Sequence, residues 1–191
     1  MTASLFTLLM AFVAAGASPS GAAPQITAGA PTEAATIEQF HAEIENYIAF
    51  RRQLLAEVRG PVPNSTALEV NNASDALAAA IRRARPNARP GSFFLPPVAD
   101  VLKQRVIKAV RTANLAPVLA GIDDEGPAVR TPSIYLRFPA HAQMAAMPPS
   151  LLAALPSLPK ELEYRIVGNF LVLRDVDAAL VLDYIPAAIP R

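Results

Sequence analysis

Cysteine is absent from all 191 residues. Its absence excludes disulfides, thiolate zinc sites, iron–sulfur clusters, a cysteine nucleophile and a lipid anchor on an N-terminal cysteine. Histidine is scarce: with two His and four Met, few soft or borderline metal ligands remain. The eight glycines never fall into a Walker loop or a dinucleotide-binding fingerprint, and neither G-x-S-x-G nor H-E-x-x-H occurs. No Lys or Arg precedes Arg51. What is abundant is apolar: 52% of residues are hydrophobic and 17% charged, a globular rather than a disordered balance. The 19 prolines cluster at segment ends and act as punctuation.

Leu5 to Ala15 (LFTLLMAFVAA) is apolar apart from Thr7. Eleven helical residues rise only about 16 Å, against the roughly 30 Å of a hydrocarbon core. The length suits the core of a secretory signal peptide, and Ala15-Gly16-Ala17 supplies a small-x-small cleavage pattern. Residues 1–17 are therefore expected to be a signal peptide, with cleavage as late as Ala23 the alternative. The missing basic residue before the run departs from the pattern. Residues 18–31, rich in Gly, Ala, Pro and Ser, predict a flexible linker. The mature chain is expected to be exported, periplasmic or secreted, with no transmembrane span.

Residues 32–191 are expected to form one α+β domain, helical over 32–116 and mainly strand over 130–186. Ile37, Phe40, Ile44, Tyr47, Ile48, Leu54, Leu55 and Val58 follow a 3.6-residue period and predict a helix over about 32–59. Thr32 after Pro31 is one start signal, and Thr36 with Gln39 a capping-box alternative. Thr66 and Glu69 make a capping box for a second helix to about Arg85, its thin stripe being Leu68, Ala73, Leu77, Ala80, Ile81 and Ala84. A third helix is expected from about Pro97 to Leu115, with Val98, Val101, Leu102, Val106 and Val110 inward. Three apolar stripes need partners, which predicts a three-helix segment.

Ser133–Phe138, bounded by prolines, predicts an edge strand, and Pro148-Pro149 opens a short helical turn over 150–155. The clearest pattern is LEYRIV and FLVLRD separated by Gly168-Asn169, a tight hairpin pairing Ile166 with Leu171, Tyr164 with Leu173 and Glu163 with Arg174. A second turn near Asp177-Ala178 would pair Leu173 with Leu182 and Leu171 with Tyr184. One face is then Leu162, Tyr164, Ile166, Leu171, Leu173, Leu180, Leu182 and Tyr184. The other mixes Arg165, Arg174 and Asp183 with Val167, Phe170, Val172 and Val181. A small antiparallel meander packed on the helices follows.

The segment from Met147 to Ile185 (MPPSLLAALPSLPKELEYRIVGNFLVLRDVDAALVLDYI) resembles the tail of an uncharacterised family of small exported bacterial proteins. YIAFRRQLL from Tyr47 and FFLPPVADV from Phe93 are similar to that family as well. The resemblance implies a signal peptide, a helical segment and this tail. It implies no activity.

No residue set is assigned a catalytic, cofactor-binding or metal role. His41 stands one turn before Glu45, and a solvated helix pair is a simpler reading than a two-ligand metal site. His141 lies between prolines with no nucleophile motif or orienting carboxylate. Asp123-Asp124-Glu125-Gly126 lacks calcium-loop spacing and reads as a solvated turn. Asp175-Val176-Asp177 reads as turn residues with local hydrogen bonds. Asn64 and Asn72 match the glycosylation sequon, read as chance. Residues 51–111 carry eleven bases and four acids, ordinary solvated helix faces or a surface for an anionic partner. Apart from Phe93-Phe94, no aromatic residues interleave them for nucleic-acid stacking.

The expected function is a non-enzymatic exported interaction or envelope-associated protein, its partner an anionic cell-envelope component or another envelope protein, with no nucleic acid. The alternatives are a small extracytoplasmic hydrolase-like enzyme using His141 or the Asp123–Glu125 segment, and a small-ligand binder with an apolar cavity between helices and sheet. The sequence assigns no oligomeric state.

Overall fold

The computed structural model describes residues 31–58, 65–125, 131–137 and 147–190; of residues 122–125 it describes the backbone only. The expected signal peptide and linker up to residue 30, Asn64, Phe138 and His141 lie outside the described residues. Residues 31–191 form one compact unit. The fold is α+β: helices α1 (Glu33–Glu57), α2 (Ala67–Ala84), α3 (Pro96–Thr112), α4 (Ala116–Glu125) and α5 (Pro149–Leu152), then strands β1 (Leu162–Val167), β2 (Phe170–Asp175) and β3 (Leu180–Ile185).

Capping sets the helix starts. Of the two candidate starts of α1, the chain uses Thr32, whose hydroxyl accepts the Ala35 N–H at 3.2 Å; Thr36 is buried inside the helix. The Thr66–Glu69 capping box of α2 is complete, with Glu69 returning a bond to the Thr66 N–H at 2.7 Å. α1 packs on α2 and α3 through Phe40, Ile44, Ile48, Leu77, Ile81, Leu102 and Val106. Two expectations fail here. Leu68 is 69% exposed, so the α2 stripe begins a turn later than the sequence suggests. A fourth helix, α4, follows Leu115, with Pro117 in its first turn and Leu115 and Leu119 buried. Its backbone is helical through Glu125, so Asp123, Asp124 and Glu125 end a helix rather than form a turn.

The sheet is an antiparallel meander in the order β1-β2-β3. Gly168 takes φ +55°, the conformation that the first position of a two-residue hairpin loop demands, and β1 pairs with β2 in the expected register. The second pairing departs from expectation. Arg174 faces Val181, but Leu173 faces Asp183 and Leu171 faces Ile185. The register shift leaves Leu182 as the extra residue of a β-bulge, and every side chain beyond it changes face. Tyr184, expected inward, stands on the outer face with its ring 5.7 Å from Phe170, and Ile185 takes its place in the core. Asp183, expected outward, is fully buried.

The inner face of the sheet, including Leu171, Leu173 and Leu182, joins the helices in one core. The outer face, expected half-polar, carries a second apolar cluster of Val167, Val172 and Val181, with Leu136, Phe170 and Tyr184 against it. Leu136 belongs to the segment expected as an edge strand. Among its described residues that segment makes a single bridge, Arg137 to Leu180, because Tyr135 at φ +65° turns the chain out of extension.

Candidate binding groove

Three polar assemblies adjoin the sheet, and two of them join it to the helices. In the first, Arg51 on α1 donates from Nε to Asp175 Oδ2 at 2.9 Å, and Tyr47, one turn earlier, donates its hydroxyl to the same oxygen at 2.7 Å. Asp177 receives the other end of the Arg51 guanidinium. Asp175 also accepts the Ala178 N–H at 2.9 Å, the local turn bond that its position suggests. Burial alone would lower the Arg51 pKa; the two carboxylates outweigh it and raise it. Burial, then the neighbouring Asp175 charge, pushes the Tyr47 phenol far above its ordinary range. The Arg85 guanidinium lies 4.9 Å from the centre of the Phe93 ring.

In the second assembly, Asp183 reaches from the bulge into the loop before α3. It accepts N–H bonds from Gly91 at 2.8 Å, Phe93 at 2.7 Å and Phe94 at 2.8 Å. Gly91 at φ +84° lets the loop curl so that these donors converge on one carboxylate. The carboxylate thereby fixes Phe93 against Tyr47 and Phe94 against Phe40.

The third assembly borders a cavity of about 760 Å³ between β1 and the chain from Met147 through α5 to Leu158. Leu152 on its wall is 49% exposed. Leu162 and Tyr164, on the inner face of β1, and Glu163 and Arg165, on the outer face, line the same cavity. Residues from both faces meet one space only along the edge of a strand, so the cavity is a groove running beside β1. Glu163 accepts from Arg165 at 2.6 Å and from Arg174, across the strand. Burial would raise its pKa; the two guanidinium bonds outweigh that and hold the carboxyl below its ordinary range. Among the described residues two buried donors of β1 have no partner, the Tyr164 hydroxyl and Arg165 Nε. Burial pushes the Tyr164 phenol well above its ordinary range, opposed by the charge of Arg105.

Among the described residues, those singled out in the sequence do not converge; His141 and the side chains of Asp123, Asp124 and Glu125 lie outside them. Among the described residues the His41 Nε2 is buried without a partner, and its ring lies 6.1 Å from that of Phe40. Among the described residues no cluster of three potential metal-ligating side chains occurs. Asn72 is exposed on α2. The basic segment is partly structural: Arg51 is buried in its ion pair, Arg82 donates to the Tyr135 carbonyl at 3.1 Å, and Arg105 pairs with Glu33. The groove itself went unread, since nothing in LEYRIV says which edge of the strand is left open. Among the described residues no helix is long and apolar enough to cross a membrane. No protein-family model, no curated protein and no solved structure matches the chain.

Proposed function

We infer that the chain is a non-enzymatic interaction protein, exported on its N-terminal segment, that holds a partner in the groove between α5 and β1. One observation carries this reading. The buried ions Arg51, Asp175 and Asp183 are spent on joining helices to sheet, whereas the groove beside β1 keeps a large apolar side chain, Leu152, half exposed on its wall. A general base or nucleophile needs a partner within hydrogen-bond reach in a concave site. The groove residues offer an apolar wall instead, which suits recognition. An anionic component or another protein of the cell envelope is the partner class that the N-terminal segment suggests.

The test is capture from envelope extract by the full chain against Leu152→Glu. Leu152 is half exposed on the groove wall, so the substitution leaves the core intact. The partner is expected on the parent chain and lost on the variant, at equal melting temperature. Equal capture by both overturns the groove as the site. The groove volume also falls within the range of small-molecule sites, and an amphiphilic small ligand is the second reading. Mass spectrometry of the organic extract of the purified chain would reveal it.

A further inference from the structure

Between Asp75 and Asp100 the chain carries four arginines, Arg82, Arg83, Arg85 and Arg89, and no acid. They occupy the last turn of α2, its C-cap and the loop that leads to α3. Their backbone is fixed at several points. The Tyr135 hydroxyl donates to the Arg85 carbonyl at 2.7 Å, and the Ser92 hydroxyl donates to the Arg89 carbonyl at 2.6 Å. Just beyond, Asp183 gathers the N–H groups of Gly91, Phe93 and Phe94, and both phenylalanines are buried in the core. Tyr135 acts from a left-handed backbone, φ +65°, which a bulky residue keeps only where its surroundings enforce it.

The positive charge of this end is left uncompensated. Arg82 rests on the neutral Tyr135 carbonyl at 3.1 Å, and Arg85 on the Phe93 ring at 4.9 Å. Arg83 and Arg89 are exposed. Asp75 is taken by Arg137, and the buried Asp183 by its three amides. Of the sixteen acidic side chains only Asp123, Asp124 and Glu125 lie outside the described residues, and they follow the far end of α3, a helix of 17 residues and about 25 Å. The charges that act on the Tyr135 phenol are those of Arg85 and Arg82. The α2 dipole accounts for cations in its last turn but fades beyond it, and so leaves Arg89 unexplained.

We propose that this end of α2 binds a soluble polymer of closely spaced phosphate groups. The site is separate from the groove, which none of the four arginines lines. All four cations are arginine, whose planar fork of donors matches phosphate oxygens. Arg82 and Arg83 leave the helix about 100° apart, and Arg89 starts from the loop, so they reach an anion from different directions. A tetrahedral phosphate accepts from several directions, whereas a planar carboxylate takes one fork along its edge. A lipid surface fits less well, because a face that lies on one carries apolar anchors beside its cations. Among the described residues the large apolar side chains left exposed are Leu68, Val70, Val118, Leu152 and Val176, all outside residues 76–99.

The experiment titrates the full chain into medium-chain inorganic polyphosphate with a terminal fluorophore and follows anisotropy over a series of salt concentrations. Labelled polyglutamate of matched charge and vesicles of phosphatidylglycerol with phosphatidylcholine are the comparison arms. Two double variants each remove two exposed cations: Arg83→Gln with Arg89→Gln at the site, and Lys108→Gln with Arg111→Gln on α3. Saturable binding of polyphosphate is expected, at least tenfold tighter than that of polyglutamate. The site variant should weaken it at least tenfold and reduce the slope of log K against log salt by about 1 for each arginine removed. The α3 variant, equal in net charge, should bind as the parent does. The proposal is overturned if polyphosphate does not bind, or if both double variants weaken it alike, which would make net charge the cause. It is equally overturned if polyglutamate binds as tightly as polyphosphate, or if the vesicles bind more tightly than the free polymer, which would make a membrane the occupant. None of these results touches the capture test with Leu152→Glu, so the two readings fail separately.

Discussion

Asp175 is the residue on which the halves of the molecule meet. Its carboxylate, fully buried, accepts from Tyr47, Arg51 and Ala178, and so binds α1 to the turn between β2 and β3. A buried ion pair need not stabilise relative to apolar residues of equal size, but breaking one leaves an uncompensated charge and costs about 3–5 kcal/mol. Asp175→Ala is expected to lose that much in urea denaturation. Arg51→Met with Asp175→Leu should recover most of it, and a double variant as unstable as the single would refute the desolvation argument. Asp183→Asn replaces an acceptor by an amide that can turn an N–H toward the donors of Phe93 and Phe94. It should cost about 1–3 kcal/mol and sharpen hydrogen exchange at those two amides above all. Asp175 was legible only in part. Its local bond to Ala178 follows from the turn, but its partners lie more than 120 residues away. The available signal was Arg51, which stands at an inward position of the α1 stripe, between Ile48 and Leu54.

At the scale of elements, caps and periods translate directly into structure, while a bulge does not. The Thr66–Glu69 box, the α1 stripe and the β1–β2 register are local patterns, each specified by residues near one another in sequence. The bulge at Leu182 arises because Asp183 turns inward to the loop of Gly91, a tertiary demand that period-2 alternation cannot express. The same demand moves Tyr184 outward over Phe170 and completes the outer apolar cluster. Stability should follow the observed faces. Leu173→Ala, at the centre of the inner face, should cost about 2–5 kcal/mol. Val172 is as fully buried on the outer face, and Val172→Ala removes two methyl groups, worth about 1.5–2 kcal/mol by transfer alone. The alternation alone would make Val172 a half-exposed position with a distinctly smaller loss. Denaturation of both variants decides: a loss at Val172 under about 0.5 kcal/mol, the range of surface changes, would mean that the outer cluster does not form.

For the molecule as a whole, ionisation sets the pH range in which helices and sheet stay joined. On the acid side Glu163, held low by Arg165 and Arg174, binds its proton less readily folded than unfolded. Its contribution is present above the ordinary carboxylate range and is lost as pH falls through the depressed value. On the alkaline side, burial raises the phenols of Tyr47, Tyr135 and Tyr164, so each keeps its proton in the fold at a pH where an unfolded tyrosine has lost it. The unfolded state then binds fewer protons than the native one, and stability falls as pH rises past about 10. Three of the four tyrosines share this direction, and the chain has no tryptophan, so phenolate absorbance near 295 nm reports them without interference. Between pH 10 and 12 these three phenols should titrate together with the loss of far-ultraviolet circular dichroism, in one cooperative step. Tyr47→Phe should carry that step to higher pH, because it removes the phenol whose pKa the fold raises furthest, although it also removes a bond to Asp175 and lowers stability near neutrality. Smooth ionisation of all four phenols near pH 10 with the helical signal intact would show that Tyr47 and Tyr164 are open to water, and the contact between α1 and the sheet would then be misplaced.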